Sequence, residues 1–372
     1  MIKKYLQKVF KKVSYSFFIK IYGKIEDIIK DSDDSRIRTE KVEEEGLNYK
    51  VYIISKGRLY TDRIHDTAGI LDNKIIKGPS FQLRKVDNYI YNSKIEDNIV
   101  FKKGTPRRLK KLNGTVLSLL TGGAGNNNYW HWLFDVLPRF GMCNKFYNFD
   151  EINYFLLPSL EKKFQTESLD FLEIPKNKRI SSKNYRHIQA EKLIMTDHPV
   201  VTTGNATKDI QNIPSWIMSW LKSSFLKNTK KNTKKNKIYI DRGDDIINEN
   251  LPQRMISNNE EIKDYLIKND FISVVLQELS FREQVNLFYN AECIVGLHGA
   301  GFGNISFCDP GTKIIELRSS TAGDVIKNLA NKISLDYGSI DLIAKEIYKF
   351  DFPNQQGSIH VPLNSLEKLI NK

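Results

Sequence analysis

Two strings in the chain carry residue types that do chemistry. The first, GGAGNNNYWHWLFDVLPRF at 122–140, reads as a helix from about Asn127. Helical spacing puts His131, Asp135 and Arg139 at i, i+4 and i+8, a polar stripe among Trp130, Trp132, Leu133, Phe134, Val136 and Leu137. Such a helix buries most of its surface, so the stripe has three readings. It is a structural pair that satisfies itself, a pair of metal ligands still wanting a third, or an imidazole or carboxylate lining a cleft as a general base. Pro138 has no amide to give Phe134, so the helix kinks or stops there and Arg139 is free to leave the stripe.

The second string, VGLHGAGFGNISF at 295–307, reads as a strand, a glycine-rich turn and a helix start. Gly299, Gly301 and Gly303 let backbone approach a ligand, and amides opening a helix favour phosphate oxygens. His298 stands at the strand's carboxyl end, where α/β sheets hold ligands. The spacing is neither GxGxxG nor a P-loop. That excludes the fingerprint expected of a dinucleotide-dependent epimerase or dehydrogenase.

Around these strings the chain reads as α/β. Beyond residue 230, KIYID (237–241), FISVVLQ (271–277), ECIVGL (292–297) and KIIEL (313–317) are short apolar strands separated by amphipathic helices. Ser280 with Glu283 forms a capping box opening one of those helices. This alternation predicts a parallel, doubly wound sheet. The first half repeats the theme with TVLSLL, INYFLLP and KLIMTD, preceded by hairpins over roughly 48–100. The expected organisation is a basic helix at 1–30, an α/β domain at 31–225, a linker at 226–237, a second α/β domain at 238–350 and a tail at 351–372.

At 372 residues, 40% hydrophobic and 27% charged, the chain is long enough for two domains and excludes wholesale disorder. No apolar run approaches the roughly 18–20 residues of a membrane span. Cys143, Cys293 and Cys308 are too few and too scattered for a disulfide framework or zinc ribbon, and they suit a reducing compartment. The net charge of +13 lies wholly in two segments, 1–30 and 222–237. Charge so confined argues against a nucleic-acid partner. The second segment, KNTKKNTKKNK, is a solvated linker or loop. In the first, Ile2, Tyr5, Leu6, Val9, Val13 and Phe17 share one helical side, while Lys4, Lys8, Lys11 and Lys12 gather on the other. The alternatives are a helix on an anionic membrane surface and a helix packed on the domain. Lysines interrupt every apolar core a signal peptide would need.

Taken together, NNYWHWLFDVLPRF, YIDR (239–242), QRMISNNEEI (253–262), LSFREQVNLFYNAECIVGLHGAGFGNISF and KIIEL resemble glycosyltransferase family 61, in family order. Its members include bacterial capsule and lipopolysaccharide enzymes and eukaryotic xylosyl-, arabinosyl- and N-acetylglucosaminyltransferases. The chain departs from the pattern with Asp241 where the family usually has Ser before Arg242, and with Arg254 alone in a stretch usually richer in arginine. The resemblance implies a GT-B fold, two Rossmann-like domains facing across a cleft. It also implies inverting transfer from a nucleotide-diphosphate sugar, a UDP-sugar by preference, to a glycan or lipid-linked glycan without a bound metal. The DRGDD run (241–245) lacks the spacing of a metal-binding DxD. A Lys-, Asn- and Ile-rich composition suits a bacterial capsule or lipopolysaccharide enzyme, cytoplasmic and peripheral on the inner membrane face. By the resemblance, Asp135 or His131 is the base, with Asp135 slightly favoured. Asn128, Trp130 and Arg139 lie on the acceptor side. Arg242, Arg254, His298 and the amides of Gly299, Ala300, Gly301 and Gly303 meet the phosphates. Asn304 fixes the turn or touches the ligand, and Glu316 either accepts from the ribose hydroxyls or is a structural carboxylate at the sheet rim. The competing class is a non-catalytic polysaccharide-binding or assembly protein that keeps the fold.

Overall fold

The computed structural model describes residues 2–86, 90–91, 93–121, 124–227, 229–233, 235–242, 254–344 and 357–372. Gly122 and Gly123, residues 243–245 of the acid run, Gln253 and residues 351–356 of the tail lie outside them. The chain is mixed α/β and divides into two compact units, one over Met1–Val86 and Ile90–Ala206, the other including Thr207–Lys372. The division falls at Ala206, ahead of the lysine–asparagine run expected as a linker. That run lies inside the second unit, between helix Ser215–Phe225 and strand Asn236–Asp241. Phe225 explains why the helix goes with the second unit: its ring packs edge-on against Phe281 at 4.9 Å.

The first unit is built on one eleven-stranded mixed sheet. Four strands are mutually parallel and lie side by side as Arg179–Ser181, Tyr154–Leu157, Lys110–Ser118 and His187–Thr196. In chain order this is 3-2-1-4, so the winding reverses between Lys110–Ser118 and His187–Thr196. The other edge of His187–Thr196 is shared by two antiparallel strands, Leu47–Ser55 and Arg58–Thr61. The expected hairpins continue from these. Ile37–Glu44 turns back onto Leu47–Ser55 through Glu45 and Gly46, both at positive φ, the two-residue turn whose twist matches a hairpin. The unit is therefore a parallel half-sheet extended by hairpins, and not the wholly Rossmann-like domain expected.

Among the described residues the second unit is built on a five-stranded sheet, all parallel, in the order Phe271–Val275, Asn236–Asp241, Ala291–Leu297, Lys313–Ser319 and Asp336–Leu342, with a separate short pair, Met255–Ile256 and Ser358–Ile359. In chain order this is 2-1-3-4-5, a doubly wound sheet that reverses between Asn236–Asp241 and Ala291–Leu297. Its central strands are buried along nearly their whole length. The Ser280–Glu283 capping box is present: Ser280 Oγ accepts from the Glu283 amide at 3.2 Å, and Glu283 Oε2 accepts from the Ser280 amide at 2.7 Å. All three cysteines are free and buried.

Candidate active site

In the first unit, strand Lys110–Ser118 leads into the helical segment that carries the polar stripe. Asn128 caps it, its Oδ1 accepting from the Trp130 amide at 2.9 Å. Trp130 and Trp132 are core residues, Trp132 fully buried with its indole N–H on Ser168 Oγ at 2.9 Å. The long helix read from sequence is broken into three segments, with a wider π-turn between two α-helical ones. Tyr129–His131 is α-helical, Trp132–Val136 is a π-helix closed by Leu137 N–H to Trp132 O at 3.0 Å, and Pro138 opens a new α-helix ending at Cys143. Pro138 cannot donate backward, and the wider π-turn absorbs the missing bond while keeping the chain helical.

His131 and Asp135 stay together across this turn, with Nδ1 and Oδ2 2.7 Å apart. The imidazole is 21% exposed and the carboxylate 7%, so the outer member of the pair is the histidine. Burial pushes the Asp135 carboxyl up, but the charge and hydrogen bond of His131, helped by His198 and Arg139, outweigh it. The net position is below the usual carboxylate range. Asp135 is thus an anion at neutral pH, and its acceptance of the Nδ1 proton leaves Nε2 of His131 as the basic nitrogen.

Arg139 does not face an acceptor. It is buried, donating Nε–H to the Asp135 carbonyl at 2.9 Å and Nη1–H to Thr196 Oγ1 at 2.8 Å. It ties the π-turn to the carboxyl end of His187–Thr196. Beyond that end comes a residue absent from the sequence expectations, His198. Its Nδ1 accepts from the amides of Val200 and Val201 at 3.1 and 2.9 Å, and burial pulls its pKa down to about 3. It is a neutral ring carrying its proton on Nε2. His198 stacks near Phe81, centroids 4.8 Å apart, and with Tyr49, Ser80, Gln82 and Asp197 it lines a cavity of ≈ 310 Å³. Aromatic faces interleaved with hydroxyl, amide and carboxylate groups suit a small polar ligand. The dyad and this cavity wall issue from the carboxyl ends of the two strands where the winding reverses, which is where open α/β sheets bind ligands.

The second unit repeats the placement. Arg242 follows strand Asn236–Asp241, and His298 follows Ala291–Leu297, one on each side of the reversal. Asp241 itself is occupied structurally, taking Lys263 Nζ at 2.8 Å and Ser273 Oγ at 3.1 Å. The chain's departure at this position therefore comes with its own counter-charge. Arg254 has its pKa lowered, by burial first and then by the neighbouring Arg242 charge.

His298 Nδ1 makes a short contact with Glu316 Oε1. Glu316 is fully buried, and its other oxygen accepts from Tyr337 OH at 2.6 Å. The expectation that Glu316 accepts ribose hydroxyls is corrected by this burial: its carboxylate is spent inside the protein, holding the His298 ring. Arg318 sits alongside, its Nε 2.7 Å from Asp341 Oδ1.

The glycine turn is a 3-10 helix over Ala300–Phe307 rather than the start of an α-helix. Its glycines divide by role. A side chain at Gly301 would come within 2.8 Å of Leu276 Cδ1, so Gly301 serves packing. One at Gly299 would meet nothing closer than Leu297 O at 3.7 Å, so the space over Gly299 and the first amides of the turn is open. Asn304 is buried and fixes the turn, donating to Gln284 Oε1 at 3.0 Å and to Gly301 O at 3.2 Å.

A family model described as Glycosyltransferase 61 matches residues 129–315. The chain belongs to the glycosyltransferase 61 family. No curated protein matches it by sequence. The family's span opens at Tyr129, two residues before His131, and closes one residue before Glu316, so it contains both histidines and both arginines of the two clusters. His198 lies within it but on a loop with no local motif. Its one sequence signal is position, just past the strand KLIMTD at a carboxyl end. Among the described residues no three His, Cys, Asp or Glu side chains converge as metal ligands would, and no helix is long and apolar enough to cross a membrane.

Proposed function

We propose that the chain is an inverting GT-B glycosyltransferase that moves a sugar from a nucleotide diphosphate, UDP by preference, to a glycan acceptor of a bacterial capsule or lipopolysaccharide. The observation that carries the reading is the His131–Asp135 pair, an outward imidazole backed by an ionised, buried carboxylate. Nε2 of His131 removes the acceptor hydroxyl proton as that oxygen bonds to the anomeric carbon. The bond from the anomeric carbon to the diphosphate oxygen breaks on the opposite face, and its electron pair leaves with the nucleotide. The charge that develops there is met by Arg242, Arg254 and the open amides at Gly299 and Ala300, groups fixed before the reaction begins. The cavity beside His198 holds the acceptor sugar, with Nε2–H as a donor to one of its hydroxyls. Protein cations and amides supply the leaving-group charge balance, so no metal is required in this reading.

The test is a melting-temperature panel of UDP, GDP, CMP and their sugars. A ligand that binds only the native state raises its apparent stability. One nucleotide should raise the melting temperature clearly, and Arg242→Ala and Arg254→Ala should each remove most of the rise. Binding without any release of nucleotide from a donor sugar, over a broad acceptor panel, would favour the non-catalytic assembly protein.

A further inference from the structure

The first helix, Ile2–Tyr22, is attached to the first unit by its last two turns only. Tyr22 OH accepts from the Leu109 amide at 2.9 Å, its ring meets His187 edge-on at 4.9 Å, and its carbonyl accepts from Arg58 Nη1 at 3.2 Å. Ile19 lies over Gly104, where a β-carbon would come within 3.0 Å of it, so the absent side chain admits the helix. Ser14, Tyr15, Phe18, Ile19 and Tyr22 are the half-buried positions among the helix's described side chains, and at 100° per residue they share one side.

Docking that side fixes what the other side presents. Tyr5, Leu6, Val9, Phe10, Val13, Phe17 and Ile21 are between 42% and 73% exposed and fall in one arc, which Ser16 and Lys20 interrupt in the later turns. In the first turns Lys4, Lys8, Lys11 and Lys12 occupy the opposite side, and the helix contains no acidic residue. Seven large apolar side chains in water along one rigidly held helix are costly unless covered.

We propose that this helix is a surface anchor for an anionic lipid bilayer. The apolar arc enters the boundary of headgroups and acyl chains, and the positive charge of the lysines draws the helix to the anionic surface. Charge complementarity selects this occupant over a second copy of the chain. Pairing two such helices would bring two lysine-rich, acid-free segments together, whereas an anionic bilayer neutralises them. The inference stands apart from the transfer chemistry, since it uses no residue of either cluster.

The experiment is co-sedimentation of the full chain with vesicles of equal parts phosphatidylglycerol and phosphatidylcholine, against phosphatidylcholine alone. Sedimentation velocity without lipid is run in parallel. The wild-type chain should partition onto the anionic vesicles at least about tenfold more strongly than onto the neutral ones, and increasing salt should weaken it. Leu6→Glu with Phe10→Glu changes only exposed side chains, so melting should hold while vesicle binding falls about tenfold or more. Changing Lys4, Lys8, Lys11 and Lys12 to Gln, with Lys3 and Lys20 kept, should cut the preference for anionic lipid by up to about fivefold per lysine. Equal recovery on both vesicle types, or recovery unmoved by both variants, overturns the proposal. So does a dimer in the absence of lipid that the Leu6/Phe10 variant dissociates while vesicle binding persists.

Discussion

The His131–Asp135 and His298–Glu316 pairs use the same two functional groups and are built in opposite ways. The first is local, its members four residues apart on one helical segment, with the imidazole outermost at 21% exposure. The second joins neighbouring parallel strands, and its carboxylate is completely buried with both oxygens engaged. An anion behind an outward imidazole orients the ring and leaves its outer nitrogen facing away from the carboxylate, which is an arrangement for moving a proton. A carboxylate saturated from two sides holds a ring still, which is an arrangement for positioning a contact. The same pair of residue types thus serves as reagent or as scaffold, and burial decides which.

The largest expected effect is at the exposed pair. His131→Ala should lower turnover by about 10²–10⁴-fold with donor affinity and melting near wild type. Asp135→Asn should be milder in turnover, since it loses the orienting anion but keeps the imidazole, and it should cost some stability because the site is buried. Steady-state turnover with donor affinity and melting on both variants checks the order. If Asp135→Asn proved the more severe in a well-folded protein, the proton would belong to the carboxylate, and the comparison drawn between the two pairs would break.

The buried pair should respond in the other coordinate. Glu316→Gln keeps the shape but offers one acceptor oxygen where His298 and Tyr337 need two. About 1–3 kcal/mol of stability should be lost with the unmet hydrogen bond. Because the His298 ring loosens, the KM for donor should rise about tenfold while turnover at saturating donor stays within a few-fold. A fall in turnover with KM unchanged would make Glu316 part of the chemistry rather than its support.

The contrast also explains what the sequence could be made to tell. A four-residue spacing on a helix is visible in one dimension, so His131 and Asp135 could be named as a pair. The Ser280–Glu283 cap, three residues apart, was legible for the same reason. His298 and Glu316 were each visible, one after a strand and one within the next. Their pairing depends on which strand lies beside which and in what register, and that is settled only when the sheet assembles. Glu316 therefore read as a free carboxylate at a strand end. Arg139 read as an acceptor contact because the π-turn and its bonds to Thr196 depend on a strand more than fifty residues away. Parallel strands of the second unit were legible because burial on both faces makes them continuously apolar. The first unit's sheet was less so, since His187–Thr196 has a parallel strand on one edge and antiparallel strands on the other.

The smallest effect, and the finest probe of the buried pair's surroundings, lies in the turn that follows His298. Gly299 has an extended backbone, φ 172° and ψ 176°, which any residue adopts, and a methyl group there meets no atom nearer than 3.7 Å. Gly299→Ala should therefore melt with the wild type. Its methyl would stand over the first amides of the turn, where the diphosphate is expected, so donor affinity should fall about tenfold, roughly 1.4 kcal/mol. Gly301→Ala is the control with the opposite signature. Its methyl is forced against Leu276 Cδ1 at 2.8 Å, the far end of a flexible side chain, so a modest loss of stability should appear with little change in donor affinity. Isothermal titration with the nucleotide selected by the melting panel, beside melting of both variants, separates the two roles. Wild-type donor affinity in Gly299→Ala would place the diphosphate away from the turn and leave Arg242 and Arg254 to hold it, with His298 and Glu316 then serving the fold alone.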